Sequence, residues 1–322
     1  MAKKAVLSVV SLLLIAVLLL GVVKVLEPSS DRKDPEHEPE FISKVITRDG
    51  VDYYPRQDIT VVLMLGVDRM GIVESSGSYN NTASADLVVL LIFDEKNETY
   101  SVLQLNRDTM LTMPALGLGG KPAGTRYGQL ALSHTYGSGL EDSCENTKKT
   151  VSDFLYGLNI DYYVSLNMGA MPTLNDAVGG VTVHVQEDFS DVDPTIMMGE
   201  ITLRGEQALN YVRVRKDVGD QKNITRMDRH AAYMEGFVRA FRERAEENSN
   251  FVLNIYEEIS PYLVTDCSVN TISGMLQRYS EYQLGEIVTP KGENVLGNKY
   301  YEFYVDEQDL DEQILKLFYS PK

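Results

Sequence analysis

The sequence predicts an α/β fold, one central β-sheet flanked by helices, preceded by a single N-terminal transmembrane helix. Three observations carry this. The near-continuous apolar runs Ile59–Val67 and Leu87–Phe93 read as central strands covered on both faces. Segments of helical spacing then alternate with further strand-like segments. Finally, the nineteen residues from Ala5 to Val23 carry no charge. At about 1.5 Å per residue they span about 28 Å, enough for a hydrocarbon core.

The elements follow in order. Lys3 and Lys4 precede the apolar run, so residues 1–4 are expected to be cytoplasmic and residues 5–26 to form the spanning helix. No small-residue cleavage site follows the run and no cysteine stands there for lipid attachment, so the segment reads as a retained anchor. Residues 27–57 form a linker and an edge hairpin. "EPSSDRKDPEHEPE" is charge and proline with little to bury. Asp49-Gly50 in "FISKVITRDGVDYYP" reads as a hairpin turn. Residues 58–322 are expected to be one extracytoplasmic domain, because no second linker interrupts the chain.

Within that domain Thr99–Asn106 is a third strand candidate. Asn146–Leu158 is helical, with Val151, Phe154, Leu155 and Leu158 on one side. "DYYVSLN" and "VTVHV" read as strands, with the helix "MGAMPTLNDAV" between them closed by Gly179-Gly180. "GEQALNYVRVR" and "RMDRHAAYMEGFVRAFRERAEEN" are helices. "NTISGMLQRYSEY", "YYEFYV" and "DLDEQILKLFY" continue as helix, strand and helix.

Composition limits the function. The 322-residue chain has a formal net charge of -17, which argues against a general nucleic-acid binder, and no helix-turn-helix is visible. Two cysteines exclude a four-thiolate zinc site. Cys144 and Cys267 are expected to form one disulfide, since the domain is placed outside the cell.

Against the acidic background, cations gather locally. "YVRVRKDVGD" holds Arg213, Arg215 and Lys216, and "ITRMDRH" adds Arg226 and Arg229. Arg226 and Arg229, three apart on a helix, share a face. Arg213 and Arg215 converge if a helix ends near Arg213. Ionic groups also mark three strand ends: Asp68-Arg69, Asp86 and Arg107-Asp108. One such residue alone reads as a turn or surface pair. Together they suggest guanidinium forks for phosphate oxygens, beside carboxylates able to hold a hard cation.

"NRDTM", "DYYVSLNMGAMPTLNDAVGGVTV", "LRGEQALNYVRVRKD" and "ITRMDRH", in this order and spacing, resemble the LytR-CpsA-Psr family. The resemblance covers about Ile59 to Ala240. It implies a central mixed sheet in an αβα sandwich. It also implies a membrane-anchored, Mg²⁺-assisted phosphotransferase that moves a glycopolymer, of teichoic acid or capsular type, from undecaprenyl pyrophosphate to peptidoglycan. Asp68, Asp86 and Arg107 would be catalytic, with the two aspartates holding Mg²⁺. Arg69, Arg107, Arg213, Arg215, Arg226 and Arg229 would bind pyrophosphate. The catalytic domain would be extracellular on a single-pass anchor in the cell membrane, with membrane, lipid-linked polymer and peptidoglycan as partners and no nucleic acid.

Two departures stand out. Family members often carry Lys at the place of Gln129 and Gln at that of His230. Arg126 or Lys121 could supply the phosphate contact that Gln129 lacks. Apolar segments such as "LVVLLIF" and "MGAMPTL" could line a channel for a polyprenyl tail or serve as plain core. The competing function is a silent envelope module that binds polyprenyl pyrophosphate or anionic polymer without transferring it.

Overall fold

The computed structural model describes residues 45–214, 218, 223–248, 251–279, 282–298 and 300–321. The expected anchor and most of the linker lie outside these residues, as does Arg215. No helix among the described residues is long and apolar enough to cross a membrane.

Chain order is β1 (Ile46–Arg48), β2 (Val51–Pro55), β3 (Ile59–Val67), β4 (Ala85–Asp94), β5 (Thr99–Leu105), β6 (Met110–Leu116), β7 (Pro122–Gln129), α1 (Glu141–Phe154) and β8 (Tyr162–Asn167). Then come α2 (Met171–Ala177), β9 (Val181–Val185), β10 (Gly199–Leu203), α3 (Glu206–Arg213), α4 (Asn223–Glu247), α5 (Phe251–Ile259), β11 (Leu263–Thr265) and α6 (Val269–Tyr279). β12 (Gln283–Val288), β13 (Gly292–Leu296), β14 (Tyr301–Val305), α7 (Glu307–Phe318) and β15 (Tyr319–Pro321) close the chain.

The central sheet has six strands in the order β11-β8-β3-β4-β5-β12. β3 runs parallel to β8 but antiparallel to β4, and β5 runs antiparallel to β4 but parallel to β12, so the sheet is mixed. The two apolar runs are its middle strands, and their alternate side chains enter two separate cores. Val62, Met64, Val89 and Leu91 face a core built with α2 to α6. Val61, Leu63, Val88 and Leu90 face a second core shared with α1 and α7. Both faces are therefore covered, which is why these strands read as unbroken apolar stretches. Burying a leucine such as Leu63 or Leu90, neither of which is exposed, contributes about 2 to 3 kcal/mol. Of the segments considered for a polyprenyl channel, Val89, Leu91 and Met171 lie in the first core and Val88, Leu90 and Ile92 in the second.

The hairpin at Asp49-Gly50 forms as expected. Arg48 pairs with Val51, and both turn residues have positive φ, 53° and 78°. That is the backbone handedness a two-residue hairpin loop requires. β15 adds to β2 to complete a three-stranded sheet. α7 is capped by Asp306, whose carboxylate accepts from the Gln308 and Asp309 amides, a contact worth about 1 kcal/mol.

The expected disulfide is absent, and both cysteines are free thiols. Cys144, on α1, is buried in the core on one face of the sheet. Cys267 packs against the core on the other face. Burial pushes each thiol up to about 12, so both are held protonated.

Candidate active site

The antiparallel pairing of β3, β4 and β5 brings three chemistry-bearing strand ends to one edge. β3 ends at Val67, opposite Ala85 at the start of β4, and β5 ends at Leu105, opposite Val88. Asp68, Asp86 and Arg107 therefore emerge together, although they are spread over forty positions of sequence.

Local bonds fix each of them. The Asp68 amide donates to the Ser84 carbonyl at 2.9 Å, drawing the two ends of the β3–β4 loop together. Asn81, buried in that loop, donates to the carbonyls of His134 and Gly137 at 2.8 and 2.9 Å and to Ser143 Oγ at 3.2 Å. His134 is buried too. Its Nδ1 lies 2.7 Å from the Ala83 carbonyl, and burial lowers its affinity for a proton. Asn106 turns the chain after β5, its side-chain oxygen accepting from the Asp108 amide at 3.0 Å.

The side chains form two groups, joined through the Asp68–Ser84 backbone bond. Arg213, the last residue of α3, donates from Nη2 to Asp68 Oδ1 at 3.1 Å. Ser84 Oγ donates to Asp86 Oδ1 at 2.7 Å, and Arg107 Nη1 pairs with the same oxygen. Arg107 Nε lies 3.4 Å from Asp108 Oδ1 but makes no hydrogen bond, although it is buried. Gln129 donates from Nε2 to Asp108 Oδ1 at 2.9 Å and to the Tyr301 carbonyl at 2.7 Å.

The arrangement thus gathers Asp68, Asp86, Arg107, Asp108 and Arg213. Arg69 stands beside Asp68, but its Nη1 donates to the Glu74 carbonyl at 2.6 Å and braces the loop. Arg229 is turned inward and is 4% exposed. Its Nη2 donates to the Val214 carbonyl, and its guanidinium lies 5.1 Å from the centre of the Phe189 ring. Burial lowers its proton affinity, and Nε and Nη1 have no hydrogen-bond partner among the described residues. It buttresses the end of α3, where Arg213 departs. The side chains of Arg226 and His230 lie outside the described residues, as does Arg215. Arg126 is exposed and donates to the neighbouring Thr125 carbonyl at 3.1 Å.

Gln129 is a site residue whose role sequence reading missed. In the sequence it stands out only where family members often carry a lysine. Its partner Tyr301 lies 172 positions away, and no local pattern signals such a pairing.

The donor chemistry suits a hard cation. Among the described residues, Asp86 and Asp68 each engage arginine or serine through Oδ1 and keep Oδ2 free of a hydrogen bond. No group of three or more His, Cys, Asp or Glu able to hold a metal occurs among the described residues. An ion here would complete its shell with phosphate oxygens and water, as Mg²⁺ commonly does.

The LytR_cpsA_psr family matches residues 24–318 of the chain. A polyisoprenyl-teichoic acid--peptidoglycan teichoic acid transferase TagU from Oceanobacillus iheyensis is 26% identical over 281 residues, covering 85% of this chain and 78% of that protein. A protein from Streptococcus agalactiae superposes with a TM-score of 0.63 at 23% identity, over 81% of this chain and 86% of its own. TagT bound to LI-WTA superposes with a TM-score of 0.57 at 23% identity, over 81% and 90% of the two chains. The two structural likenesses establish the shared fold.

Proposed function

The chain belongs to the LytR_cpsA_psr family, and we propose that it transfers a glycopolymer, of teichoic acid or capsular type, from undecaprenyl pyrophosphate to peptidoglycan. The observation that carries this reading is the paired set Arg107–Asp86 and Arg213–Asp68 at one sheet edge. The name of the Oceanobacillus iheyensis relative supports the polymer and acceptor classes.

Each guanidinium offers five N–H donors in a fixed fork. Asp86 occupies only part of the Arg107 fork, and Asp68 only part of that of Arg213. The remaining donors suit the oxygens of a pyrophosphate. Phosphoryl transfer depends mainly on positioning and charge stabilisation, which these forks would supply. Asp86 would accept the proton of the acceptor hydroxyl. That oxygen would bond to the phosphorus next to the sugar, and the bond to the polyprenyl phosphate would break. The product is a phosphodiester, and polyprenyl phosphate leaves.

Asp68 and Asp86 are the residues that would hold Mg²⁺. When bound there, the ion supplies Lewis-acid stabilisation of charge on the phosphate oxygens. The uncharged run from Ala5 to Val23 behind Lys3 and Lys4 supports a single-pass anchor that places this domain outside the cell membrane.

The test supplies a polyprenyl-pyrophosphate-linked polymer and acceptor, with and without Mg²⁺, and follows free polyprenyl phosphate. Release that depends on Arg107 supports transfer. Tight binding without release would instead favour a silent binding module.

A further inference from the structure

Beside the catalytic edge, the hairpins β6–β7 and β13–β14 lie against each other. The Phe303 amide donates to the Asp108 carbonyl at 2.9 Å, and Thr109 bridges Phe303 in parallel. Gln129 ties the β7 end to the Tyr301 carbonyl. Residues two apart on a strand share a face. Tyr127 therefore projects from the same face of β7 as Gln129, toward β14. Tyr304 lies on β14, the strand whose Tyr301 carbonyl Gln129 holds.

These two tyrosines are open to solvent, Tyr127 at 63% and Tyr304 at 41%. Val295 and Glu302, paired across β13–β14, share the face of Tyr304. Tyr304 Oη donates to Glu302 Oε2 at 2.7 Å, which fixes its ring. Glu293 stands opposite Tyr304 on the partner strand. The nearby Lys291 is committed to Asp309 at 2.7 Å.

Arg126 projects from the opposite face of β7 to Tyr127, so among the described residues the tyrosines' face carries carboxylates and no free cation, and this selects a particular ligand. A polyanion or an anionic lipid surface would meet Glu293 and Glu302 with repulsion. A neutral, hydroxyl-rich ring would not. Its C–H face stacks on a tyrosine, and its hydroxyls donate to carboxylate. We propose that Tyr127 and Tyr304 form a platform for the pyranose rings of the acceptor glycan strand, and that this platform leads the strand to Arg107. The inference rests on the transfer reading, because it identifies where that reaction's acceptor would sit.

The experiment measures binding of the full-length chain in detergent to peptidoglycan sacculi stripped of attached polymers. Replacing Tyr127→Ala and Tyr304→Ala together is expected to weaken binding about tenfold. The corresponding Phe variants should keep it, since the ring is retained. Tyr301→Ala, on the opposite face of the same hairpin, should bind as the parent does. The chain has no tryptophan, so Tyr304→Trp gives a single reporter. Its emission should shift and saturate with soluble glycan fragments. Parental sacculus binding by the double alanine variant overturns the platform. So does an unchanged Tyr304→Trp emission, or a loss of liposome binding in place of sacculus binding. Release of polyprenyl phosphate, measured without sacculi, is a separate reading. Its failure would sink the transfer reaction, whereas sacculus binding tests the platform alone.

Discussion

The two ends of the central sheet carry the same residue types put to different use. At the end where β3 begins, Arg56 reaches Asp58 through Nε and Nη2, both at 3.0 Å, and Asp94 through Nη2 at 2.8 Å. Asp94 also accepts from the Asn97 and Lys96 amides and from Asn97 Nδ2. Here one guanidinium is clamped between two carboxylates through Nε and Nη2. At the end where β3 finishes, Arg107 and Arg213 each contact carboxylate through part of the fork, and Arg107 Nε is buried without a hydrogen bond. Residue type alone does not separate a fastening from a binding site. The number of donors left over does.

The comparison breaks hardest at Arg107. Removing an oriented donor from a developing phosphate charge typically costs about 100- to 1000-fold in turnover. Arg107→Ala should therefore nearly abolish release of polyprenyl phosphate while the far-ultraviolet circular dichroism stays that of the parent. Near-normal turnover in the purified variant would remove Arg107 from the mechanism.

Asp86→Asn should come next. It keeps an acceptor for Ser84 Oγ but loses the charge that holds Arg107 and would take the acceptor proton. A general base contributes about 100-fold or more, so turnover should fall by a similar factor and its Mg²⁺ dependence should change. Asp153→Asn serves as the control, because Asp153 only pairs with Lys149 on the exposed side of α1. Equal losses from both would show that the acidic site lies elsewhere.

The closed end should respond in stability and not in activity. Arg56→Ala leaves two carboxylates without their guanidinium, one of them on the largely buried Asp94 side chain. The expected cost is about 1 to 3 kcal/mol by denaturant titration, with turnover per folded molecule unchanged. The pH dependence follows the same contacts. The Arg56 hydrogen bond lowers the Asp58 pKa below its ordinary 3.8. For Asp94 burial raises the pKa, but bonds from Asn97 and Arg56 outweigh it and the net shift is downward. Groups depressed in the folded state stabilise fully above the unfolded value and lose that contribution as pH falls through the folded one. Stability should therefore drop below about pH 4, and Arg56→Ala should flatten that acid limb.

The sequence announced what was periodic and local. β3 runs from Ile59 to Val67 as expected, because a strand buried on both faces leaves an unbroken apolar signature. α3 ends at Arg213, short of the expected helix through Arg215, because Val214 turns extended. The hairpins β6–β7 and β13–β14 escaped notice, since β13 and most of β7 are exposed and show no alternation. α1 begins at Glu141, earlier than its apolar spacing suggests. Its first turn is held by polar contacts of Ser143 with Asn81 and the Gly139 amide, not by an apolar stripe. The clustering of Asp68, Asp86 and Arg107 was legible as three strand ends. The bonds that select their orientations cross too much sequence to be read.

The smallest expected effect lies at Gln129, where the open end meets the tyrosine hairpin. Its amide holds Asp108 Oδ1, the same oxygen that faces Arg107 Nε. Gln129→Leu keeps the side-chain bulk but removes both hydrogen bonds. The Tyr301 carbonyl can turn to water, so stability should hardly move. Asp108 loses its second restraint and can draw the Arg107 fork away from the edge. A net hydrogen bond is worth about 0.5 to 1.5 kcal/mol, so turnover should fall about threefold to tenfold. If the effect passes through Asp108, Gln129→Leu should add little once Asp108→Asn is in place, and the two losses will not be additive. Independent, multiplying losses would mean that Gln129 touches the substrate itself.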